Sequence, residues 1–304
     1  MSGVYIKNGL LNDSVISSPN DKDNRVMDRV MKSGSPESRV VEGLHKLDLT
    51  DDTEVKKSVT KFKPSFLIHC AAQRFPDKVD LDPVGAAKIN VDSSRHLAHI
   101  ADFLQVPMLH ISTDYVFDGK SPPYAVNAVP SPLNLYGKTK LNGEKATLAV
   151  GKGNLVLRVP VLYGPVEYLA ESAVTVLLNN LIHRDKPCKI SNYERRCPSH
   201  VDDIADICLQ LAVKRLEDEN ICGIFHWCGK EIFTKYDMLV QIASVFHLPY
   251  DSHVIPDSNP PSATTTTHRP YDTTLDTSRL EQLGIGHHTP FDIGIKSALQ
   301  PWVR

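Results

Sequence analysis

An excess of charge of either sign is missing from this sequence, and so is any long apolar segment. The chain has 34 Lys and Arg residues against 36 Asp and Glu residues, a formal net charge of −2, and it shows no basic stripe of the kind that binds nucleic acid. No apolar run approaches the ~18 residues that a membrane-spanning helix needs. The opening residues, MSGVYIKNGLLNDSV, lack the basic and apolar regions of a signal peptide. We therefore expect a cytoplasmic protein that binds neither nucleic acid nor a membrane.

Closely spaced cysteines are missing as well. The six cysteines are scattered, with no Cys-x-x-Cys pair: Cys70, Cys188, Cys197, Cys208, Cys222 and Cys228. Without a secretion signal they are expected to be reduced thiols. Two pairs of histidines, His96 with His99 and His287 with His288, have no carboxylate or cysteine partner at ligand spacing. A metal site is therefore not expected.

From about residue 47 onward, short apolar strands alternate with amphipathic helices. Strands are predicted at 66–68, 108–111 and 155–159, and helices from Thr50 or Asp51, over 97–104, from near Leu135, and over 172–182, 201–213 and 235–246. This alternation predicts an α/β fold with a doubly wound parallel sheet, which binds ligands at the carboxyl ends of its strands. The second half has fewer strand signals and predicts a smaller α/β lobe. Its Pro-, Ser- and Thr-rich stretch 251–274 predicts a long surface loop.

The residues that could carry chemistry begin with Tyr136 and Lys140, which are four apart and so share one helical face. A Lys cation beside a phenol lowers the phenol pKa from ~10, as a tyrosine acid or base requires near neutral pH. Such a pair is expected about once by chance in this composition, so its context matters. Thr113 ends a predicted strand in the run Ser-Thr-Asp, where its hydroxyl can bond a carbonyl group.

Two further features agree with this context. The small residues of Cys70-Ala71-Ala72 end the preceding strand, and Asn90 lies on the helix that follows. The order and spacing of these features, with Thr113, Tyr136 and Lys140, resemble the extended short-chain dehydrogenase/reductases.

Longer stretches of sequence resemble two particular families within this class. Four of them resemble dTDP-4-dehydrorhamnose reductases: ISTDYVFDG (111–119), PLNLYGKTKLNGEKA (132–146), VLRVPVLYG (156–164) and PSHVDDIAD (198–206). Four resemble the regulatory β subunits of methionine adenosyltransferase, which belong to that reductase family: DGKSPPY (118–124), ESAVTVLLNNL (171–181), GIFHWCGKEIFTKYDM (223–238) and SRLEQLGIGHHTPFDIGIKSAL (278–299). The resemblance covers about residues 38 to 300. Three of these phrases lie outside the cofactor half, where a generic reductase would differ.

The resemblance implies a Rossmann-like fold and a regulatory subunit that is not itself an enzyme. Such a subunit binds the catalytic subunit of methionine adenosyltransferase and modulates S-adenosylmethionine synthesis. The implied contacts to NADP are Asp48, Leu49, Cys70, Ala71, Ala72, Arg74, Tyr136, Lys140 and Leu162. Thr113, Tyr136 and Lys140 are the reductase-type catalytic positions, which need not be used for turnover. For Asp48 and Leu49 a plain strand end, and for Arg74 a solvated surface cation, stay open as alternatives.

Two other functions stay open. The first is an NADPH-dependent reductase of a 4-keto-6-deoxy nucleotide sugar, in which Arg195 and Arg196 could grip a phosphate unless they are a surface pair. The second is a truncated form with neither activity. Thr113, Tyr136 and Lys140 cannot discriminate between the regulatory subunit and the reductase, but the phrases after residue 170 favour the subunit.

Docking to the catalytic subunit is expected to use the C-terminal segment that begins at about Lys296. Trp302 and Arg304 are residue types enriched at binding hot spots. The β subunits continue with a basic and aromatic tail, whereas this chain stops at QPWVR. We therefore expect a shortened docking segment and weakened association.

The Gly-rich turn that holds the pyrophosphate in this fold is missing. The first glycines match neither G-x-G-x-x-G nor G-x-x-G-x-x-G: Gly3, Gly9, Gly34 and Gly43. Instead, Val4 to Ile6 predicts a stub of strand, 8–24 a loop, 26–31 a short helix and 39–44 a second strand. Either residues 1–37 come from an alternative exon or a faulty gene model, or the protein lacks a full dinucleotide site.

The expected domains follow from these features. Residues 1–37 are an atypical segment, 38–165 the dinucleotide-binding-like part and 166–304 the smaller lobe, interleaved with it as one compact unit. NADP binding is expected to be weak because the first strand and its turn are missing or replaced.

Overall fold

A computed structural model describes residues 3–8, 12–17, 47–151, 153–262 and 267–303, the first two ranges by their backbone alone. The described residues belong to two compact units. Unit 1 draws them from Met1–Ile111, Asn142–Val156 and Asp218–Gly223, and unit 2 from Ser112–Leu141, Leu157–Glu217 and Ile224–Arg304. The boundaries that the sequence predicts after residues 37 and 165 stay a prediction.

The strands in the described part of the chain are β1 (Gly3–Asn8), β2 (Asn12–Ser17), β3 (Phe66–His69), β4 (Met108–Thr113), β5 (Leu155–Val159), β6 (Leu162–Tyr163), β7 (Cys188–Ser191), β8 (Ser199–His200), β9 (Gly223–His226) and β10 (Val254–Asp257). The α-helices there are α1 (Asp52–Phe62), α2 (Pro76–Leu81), α3 (Pro83–Ala87), α4 (Ser93–Phe103), α5 (Leu135–Ala149), α6 (Leu177–Ile182), α7 (Val201–Glu217), α8 (Lys235–Phe246), α9 (Ser278–Glu281) and α10 (Phe291–Leu299). A π-helical segment, Lys88–Asp92, joins α3 to α4.

The larger sheet has the strand order β2-β1-β3-β4-β5-β9. β3 and β4 pair in parallel, with Leu67 opposite Met108 and His69 opposite His110, as the alternation of strands and helices predicts. Phe66, Leu67 and His69 of β3 are all buried. Burial on both faces explains why this strand is a continuous apolar run rather than an alternating one.

The N-terminal strands form an antiparallel hairpin at one edge of this sheet. β1 pairs antiparallel with both β2 and β3, so the strand predicted at Val4 to Ile6 is confirmed. The prediction of a loop over 8–24 is wrong for Asn12–Ser17, which is strand β2. These mostly polar residues have no clear period, and they form a strand because they pair with β1. The helix predicted at 26–31 and the strand at 39–44 lie outside the described residues.

The orientation of β1 bears on the missing glycine turn. Antiparallel strands run in opposite directions, so the carboxyl end of β1 lies at the edge of the sheet opposite to that of β3. The antiparallel β1 lies beside β3, at the position that a parallel first strand has in a doubly wound sheet.

Most predicted helices are confirmed, and the residues that cap them explain where each helix begins. Asp51 caps α1 by accepting a hydrogen bond from the backbone N–H of Glu54 at 3.0 Å. α8 has the predicted bounds and starts with a capping box formed by Thr234 and Asp237. α6 begins five residues later than the predicted 172, at Leu177, because the Ser172 hydroxyl accepts a hydrogen bond from the Val174 N–H and favours a turn there.

The surface loop predicted over 251–274 is wrong in part. β10 lies within it and pairs in parallel with β7, with Val254 opposite Cys188. His253, Asp272 and Thr273 are also buried. The four residues Val254–Asp257 form a strand because they pair with β7, which is distant in sequence. The local composition therefore could not predict this strand.

Each unit has its own apolar core. In unit 1 it includes Val55, Val59 and Leu97, and in unit 2 it includes Leu178 and Leu239. Trp227 of unit 2 is buried. Among the described residues, no helix is both long and apolar enough to cross a membrane.

Candidate functional site

The loop that follows β3 carries four of the predicted cofactor positions in unit 1. Ala71 is buried, whereas Cys70, Ala72 and Arg74 are half-buried. Asn90, on the π-helical segment, is buried and holds this loop through the backbone of Gln73. Its side-chain oxygen accepts from the Gln73 N–H at 2.8 Å, and its Nδ2 donates to the Gln73 carbonyl at 3.1 Å. These two bonds fix the shape of the loop without using the side chains predicted to meet a cofactor.

Arg74 and the two other predicted positions of unit 1, Asp48 and Leu49, differ in their surroundings. The guanidinium of Arg74 lies 4.5 Å from the ring centroid of Phe75, which orients the cation near the loop. Asp48 is exposed, and hydrogen bonds from the backbone and hydroxyl of Thr50 lower the pKa of its carboxyl. Leu49 is buried in the core of unit 1. Asp48 therefore has a local role in the turn before α1.

The end of β4 in unit 2 is a buried polar cluster around Asp114. Thr113 donates to the Asp114 carboxylate at 3.1 Å and accepts from the Tyr115 N–H at 3.2 Å. The Thr273 hydroxyl also donates to Asp114. Burial raises the pKa of Asp114, although the charge of Arg196 and these two hydroxyl donors oppose the shift. Thr113 is thus held by its neighbours.

Tyr136 and Lys140 lie one turn apart on α5 of unit 2. The Asn134 side chain accepts from the Gly137 N–H at 2.8 Å and caps the first turn. Tyr136 is half-buried, and its ring centroid lies 5.9 Å from that of Tyr115 in an edge-on arrangement. Lys140 is only 2% exposed. Unit 2 therefore brings a phenol and a buried amine together on one helix face, as predicted.

Gly137 permits this arrangement. A Cβ at this position would overlap the backbone oxygen of Tyr115 and would lie 2.9 Å from Cβ of Pro132. Only glycine lets the first turn of α5 approach the segment after β4 so closely. The sequence phrase contains this glycine, but the close approach that requires it is visible only in the structure.

The adjacent residues Arg195 and Arg196 have different environments. Arg195 is exposed, whereas Arg196 is buried. The Arg196 guanidinium donates to the Tyr115 hydroxyl at 3.3 Å. Burial works against its charge, but the nearby Tyr115 and Asp114 hold the pKa of Arg196 above its usual value. Arg196 is therefore a structural partner of Tyr115, a role that sequence reasoning missed because the two are 81 residues apart.

The other predicted positions of unit 2 lie on other elements of the unit. Leu162 is half-buried on β6, which pairs in parallel with β8. Lys296 is exposed on α10. Trp302 is half-buried and packs against the apolar core of unit 2, so its ring contributes to folding. Arg304 lies outside the described residues.

The histidines singled out as metal candidates make other contacts. His287 lies 3.7 Å from an Asp203 oxygen and His288 lies 3.3 Å from a Glu231 oxygen. His96 contacts the Asp52 carbonyl at 2.9 Å. In the part of the chain that the structure describes, no group of three or more His, Cys, Asp or Glu side chains could hold a metal ion.

Comparison with known proteins defines the class. The model of the RmlD substrate binding domain family matches residues 22–303, and the chain belongs to this family. The fold agrees with solved members: the dTDP-4-dehydrorhamnose reductase from Bacillus anthracis in complex with NADP has a TM-score of 0.77 at 22% identity, covering 90% of this chain and 94% of that one. The corresponding reductase from Clostridium acetobutylicum has a TM-score of 0.77 at 26% identity, covering 94% and 98%. The predicted extended short-chain reductase fold is confirmed.

The particular relatives within this class are methionine adenosyltransferase subunits. The chain is 47% identical over 257 residues to methionine adenosyltransferase 2 subunit beta from Xenopus tropicalis, which is 84% of this chain and 76% of that protein. The subunit beta from Bos taurus matches with the same identity and coverage. The resemblance predicted from the phrases after residue 170 is confirmed.

Proposed function

We propose that this protein is a non-catalytic regulatory subunit, acting in the cytoplasm, that binds the catalytic subunit of methionine adenosyltransferase and modulates S-adenosylmethionine synthesis. The observation that carries the proposal is the 47% identity to subunit beta over 76% of the length of that relative. The solved reductases, at 22% and 26% identity, support the fold rather than the activity.

The docking surface is proposed to include Lys296 and the residues after α10. Lys296 is exposed on α10, whereas the neighbouring Ala298 and Leu299 are buried. Deleting 296–304 would therefore remove core side chains together with any docking contacts. Single substitutions are the cleaner test, because changing one exposed side chain leaves the core of unit 2 intact.

The first prediction concerns association. The full chain should co-purify with its cognate catalytic subunit and bind it at micromolar concentrations. Lys296→Glu should raise the off-rate by about tenfold in surface-based kinetics, since changes at an interface act mostly on dissociation. Arg304→Ala should weaken binding in the same direction.

Lys186→Glu is the matched control, because Lys186 is an exposed lysine of unit 2 outside the proposed surface. Each variant is checked by its thermal melt. Absence of association at micromolar concentrations, with a cooperative melt, would contradict the regulatory-subunit proposal. An equal loss of affinity in Lys296→Glu and Lys186→Glu would show that Lys296 is not part of the proposed docking surface.

NADP is proposed as a weakly held cofactor. Its proposed contacts in unit 1 are Asp48, Leu49, Cys70, Ala71, Ala72 and Arg74, and in unit 2 they are Tyr136, Lys140 and Leu162. The residues fit the group in part: Asn90 holds the loop after β3, and Arg74 could face a phosphate. The antiparallel β1 does not supply the strand that leads into a phosphate-binding turn.

The second prediction follows from this partial fit. NADP should bind with a dissociation constant of about 1 μM or weaker, a free energy near −8 kcal/mol. Lys140→Met should weaken it further, because the ammonium that would bond the ribose hydroxyls is gone, whereas Lys138→Met on the exposed face of α5 should not. Titration calorimetry measures both. Nanomolar affinity in the unmodified chain would contradict the prediction.

The alternative is an NADPH-dependent reductase of a 4-keto-6-deoxy nucleotide sugar. The presence of Thr113, Tyr136 and Lys140 in unit 2 favours it. When bound, NADPH supplies a hydride. In this chain Tyr136 would then protonate the new alkoxide, and Thr113 would orient the carbonyl group.

The third prediction separates the two functions. Purified protein mixed with NADPH and a 4-keto-6-deoxy nucleotide sugar should show little loss of nicotinamide absorbance. If the alternative holds, turnover is robust and falls by about 10²–10⁴ in Tyr136→Phe, because the general acid is removed. Tyr168→Phe, an exposed tyrosine of unit 2, is the control. Robust turnover sensitive to Tyr136 alone would replace the regulatory proposal with the reductase.

A further inference from the structure

The loop after β3, which carries the proposed cofactor positions 70–72, is held at both of its ends from one stretch of helix in unit 1. At the far end, the Asn90 side chain bonds the backbone of Gln73. At the near end, Nε2 of His69, the last residue of β3, lies 3.0 Å from Oγ of Ser94. The proposed cofactor positions therefore lie between two fixed points.

Ser94 and Asn90 are also bonded to each other, which closes these contacts into a ring. The Ser94 hydroxyl donates to the Asn90 carbonyl oxygen at 3.0 Å. Together with the chain from His69 to Gln73, the bonds form a closed circuit, which we call the loop ring: His69, Ser94, Asn90 and Gln73. Opening the ring at any bond would leave one end of the loop less constrained.

The hydrogen positions in the loop ring follow from a count of donors. A serine hydroxyl has a single hydrogen to donate, and that of Ser94 goes to the Asn90 carbonyl oxygen, which can only accept. The Ser94 oxygen therefore accepts from Nε2 of His69. The network thus assigns a hydrogen to Nε2 of the His69 imidazole, and His69 is the donor that holds the start of the loop.

The loop ring is shielded from water. His69, Asn90 and Ser94 are all 0% exposed. On α5, a Cβ at Gly143 would overlap the Asn90 carbonyl oxygen and would lie 3.4 Å from Oγ of Ser94, so the helix backbone packs directly on the ring. Because water does not reach these groups, removing one partner leaves a buried polar group unsatisfied, which costs more than the bond itself contributes.

We propose that His69 and Ser94 are positioning residues for NADP: they hold the loop 70–74 in the shape in which it meets the cofactor. This inference rests on the proposed NADP site and adds two residues that lie outside its proposed contacts. The π-helical segment that contains Asn90 agrees with such a role, since single π-helical turns are frequent at functional sites.

Ser94→Ala opens the loop ring, and Ser93→Ala is its matched control. Ser93 is also buried, and its hydroxyl donates to the carbonyl oxygen four residues earlier, that of Ile89, as the Ser94 hydroxyl does to Asn90. Both variants lose such a bond, but Ser94→Ala also removes the partner of His69. A second pair tests the imidazole: His69→Gln keeps an N–H on a side chain of similar length, whereas His69→Met has none.

Amide hydrogen exchange without NADP measures the ring itself. The Gln73 N–H should exchange at least about tenfold faster in Ser94→Ala and His69→Met than in the unmodified chain, because the loop opens locally. The Leu67 N–H in β3 should keep its rate, which separates this opening from a general loss of stability. Ser93→Ala and His69→Gln should change the Gln73 rate by no more than about threefold. Unchanged protection of Gln73 in Ser94→Ala, with a cooperative melt, would overturn the proposal.

Titration calorimetry measures the consequence for NADP. The dissociation constant should rise about tenfold in Ser94→Ala and His69→Met, and by no more than about twofold in Ser93→Ala and His69→Gln. Equal affinity in Ser94→Ala and the unmodified chain would overturn the role of His69 and Ser94 while leaving the NADP site in place. Absence of NADP binding in the unmodified chain would overturn the site, and this role with it.

Discussion

Replacing Gly137 by alanine should lower the free energy of unfolding by about 3 kcal/mol, at the upper end of the range for overpacking a tight contact. The added methyl group would overlap the backbone oxygen of Tyr115 and crowd Pro132. Backbone cannot rotate out of the way as a side chain can. Either the first turn of α5 moves away from the segment after β4, or the strain remains in the folded state.

Denaturant unfolding measures this change, and Lys138→Ala is its matched control. Lys138 is adjacent in α5 and exposed, so alanine there should change the stability by no more than about 0.5 kcal/mol. The Gly137 variant should also bind NADP less well than the unmodified chain, because Tyr136 is carried by the same turn. A loss below about 1 kcal/mol would show that α5 tolerates the displacement and that this contact is not tight.

The second large effect is a loss of stability in mild acid that depends on His226. Its Nε2 lies 3.2 Å from Nη1 of Arg158, which can only donate, and its Nδ1 lies 3.1 Å from the Tyr124 carbonyl oxygen. The imidazole is therefore neutral, with the hydrogen on Nδ1. Burial, and next the charge of Arg158, lower its pKa to about 4.

The direction of the pH dependence follows from that shift. Between about pH 6.5, where histidine titrates in the unfolded chain, and about pH 4, the unfolded state binds more protons than the folded state. Stability is therefore full above the unfolded pKa and falls as the pH drops toward the folded pKa. For a shift of this size the loss amounts to about 3 kcal/mol.

Urea unfolding at several pH values, from neutral to mildly acidic, tests this contribution. His226→Gln keeps an acceptor for Arg158 and a donor for Tyr124 but does not titrate, so its stability should depend less steeply on pH. His99→Gln, an exposed residue of α4, should keep the slope of the unmodified chain. Identical slopes in all three proteins would mean that His226 is protonated in the folded state at the same pH as in the unfolded chain.

Several elements could be predicted from the residues because their signals are local. α8 has the predicted bounds, since four apolar residues in helical period follow a capping threonine. β5 also has the predicted bounds, because all five of its residues are buried and the run ends at Pro160. The positions of Tyr136 and Lys140 on one helix were predictable for the same reason, as they depend on spacing alone.

Contacts between distant residues could not be predicted in this way. Thr273 donates to Asp114 from 159 positions away, and the segment that carries it was predicted to be a surface loop. Arg196 was predicted as a possible phosphate ligand, yet it is buried against Tyr115. Trp302, which is predicted as a docking residue, also packs on the core of unit 2. In each case the side chain has a partner that spacing and composition do not reveal.

The sequence by itself determined the α/β class, the strands β3, β4 and β5, six of the ten described α-helices, and the family, because these depend on local period, capping and linear phrases. Only the tertiary structure decided that β1 pairs antiparallel with β3 and that Gly137 must be glycine. The reason is physical: strand direction, close backbone approach and burial are set by partners far away in the chain, and no residue carries that information in its immediate neighbours.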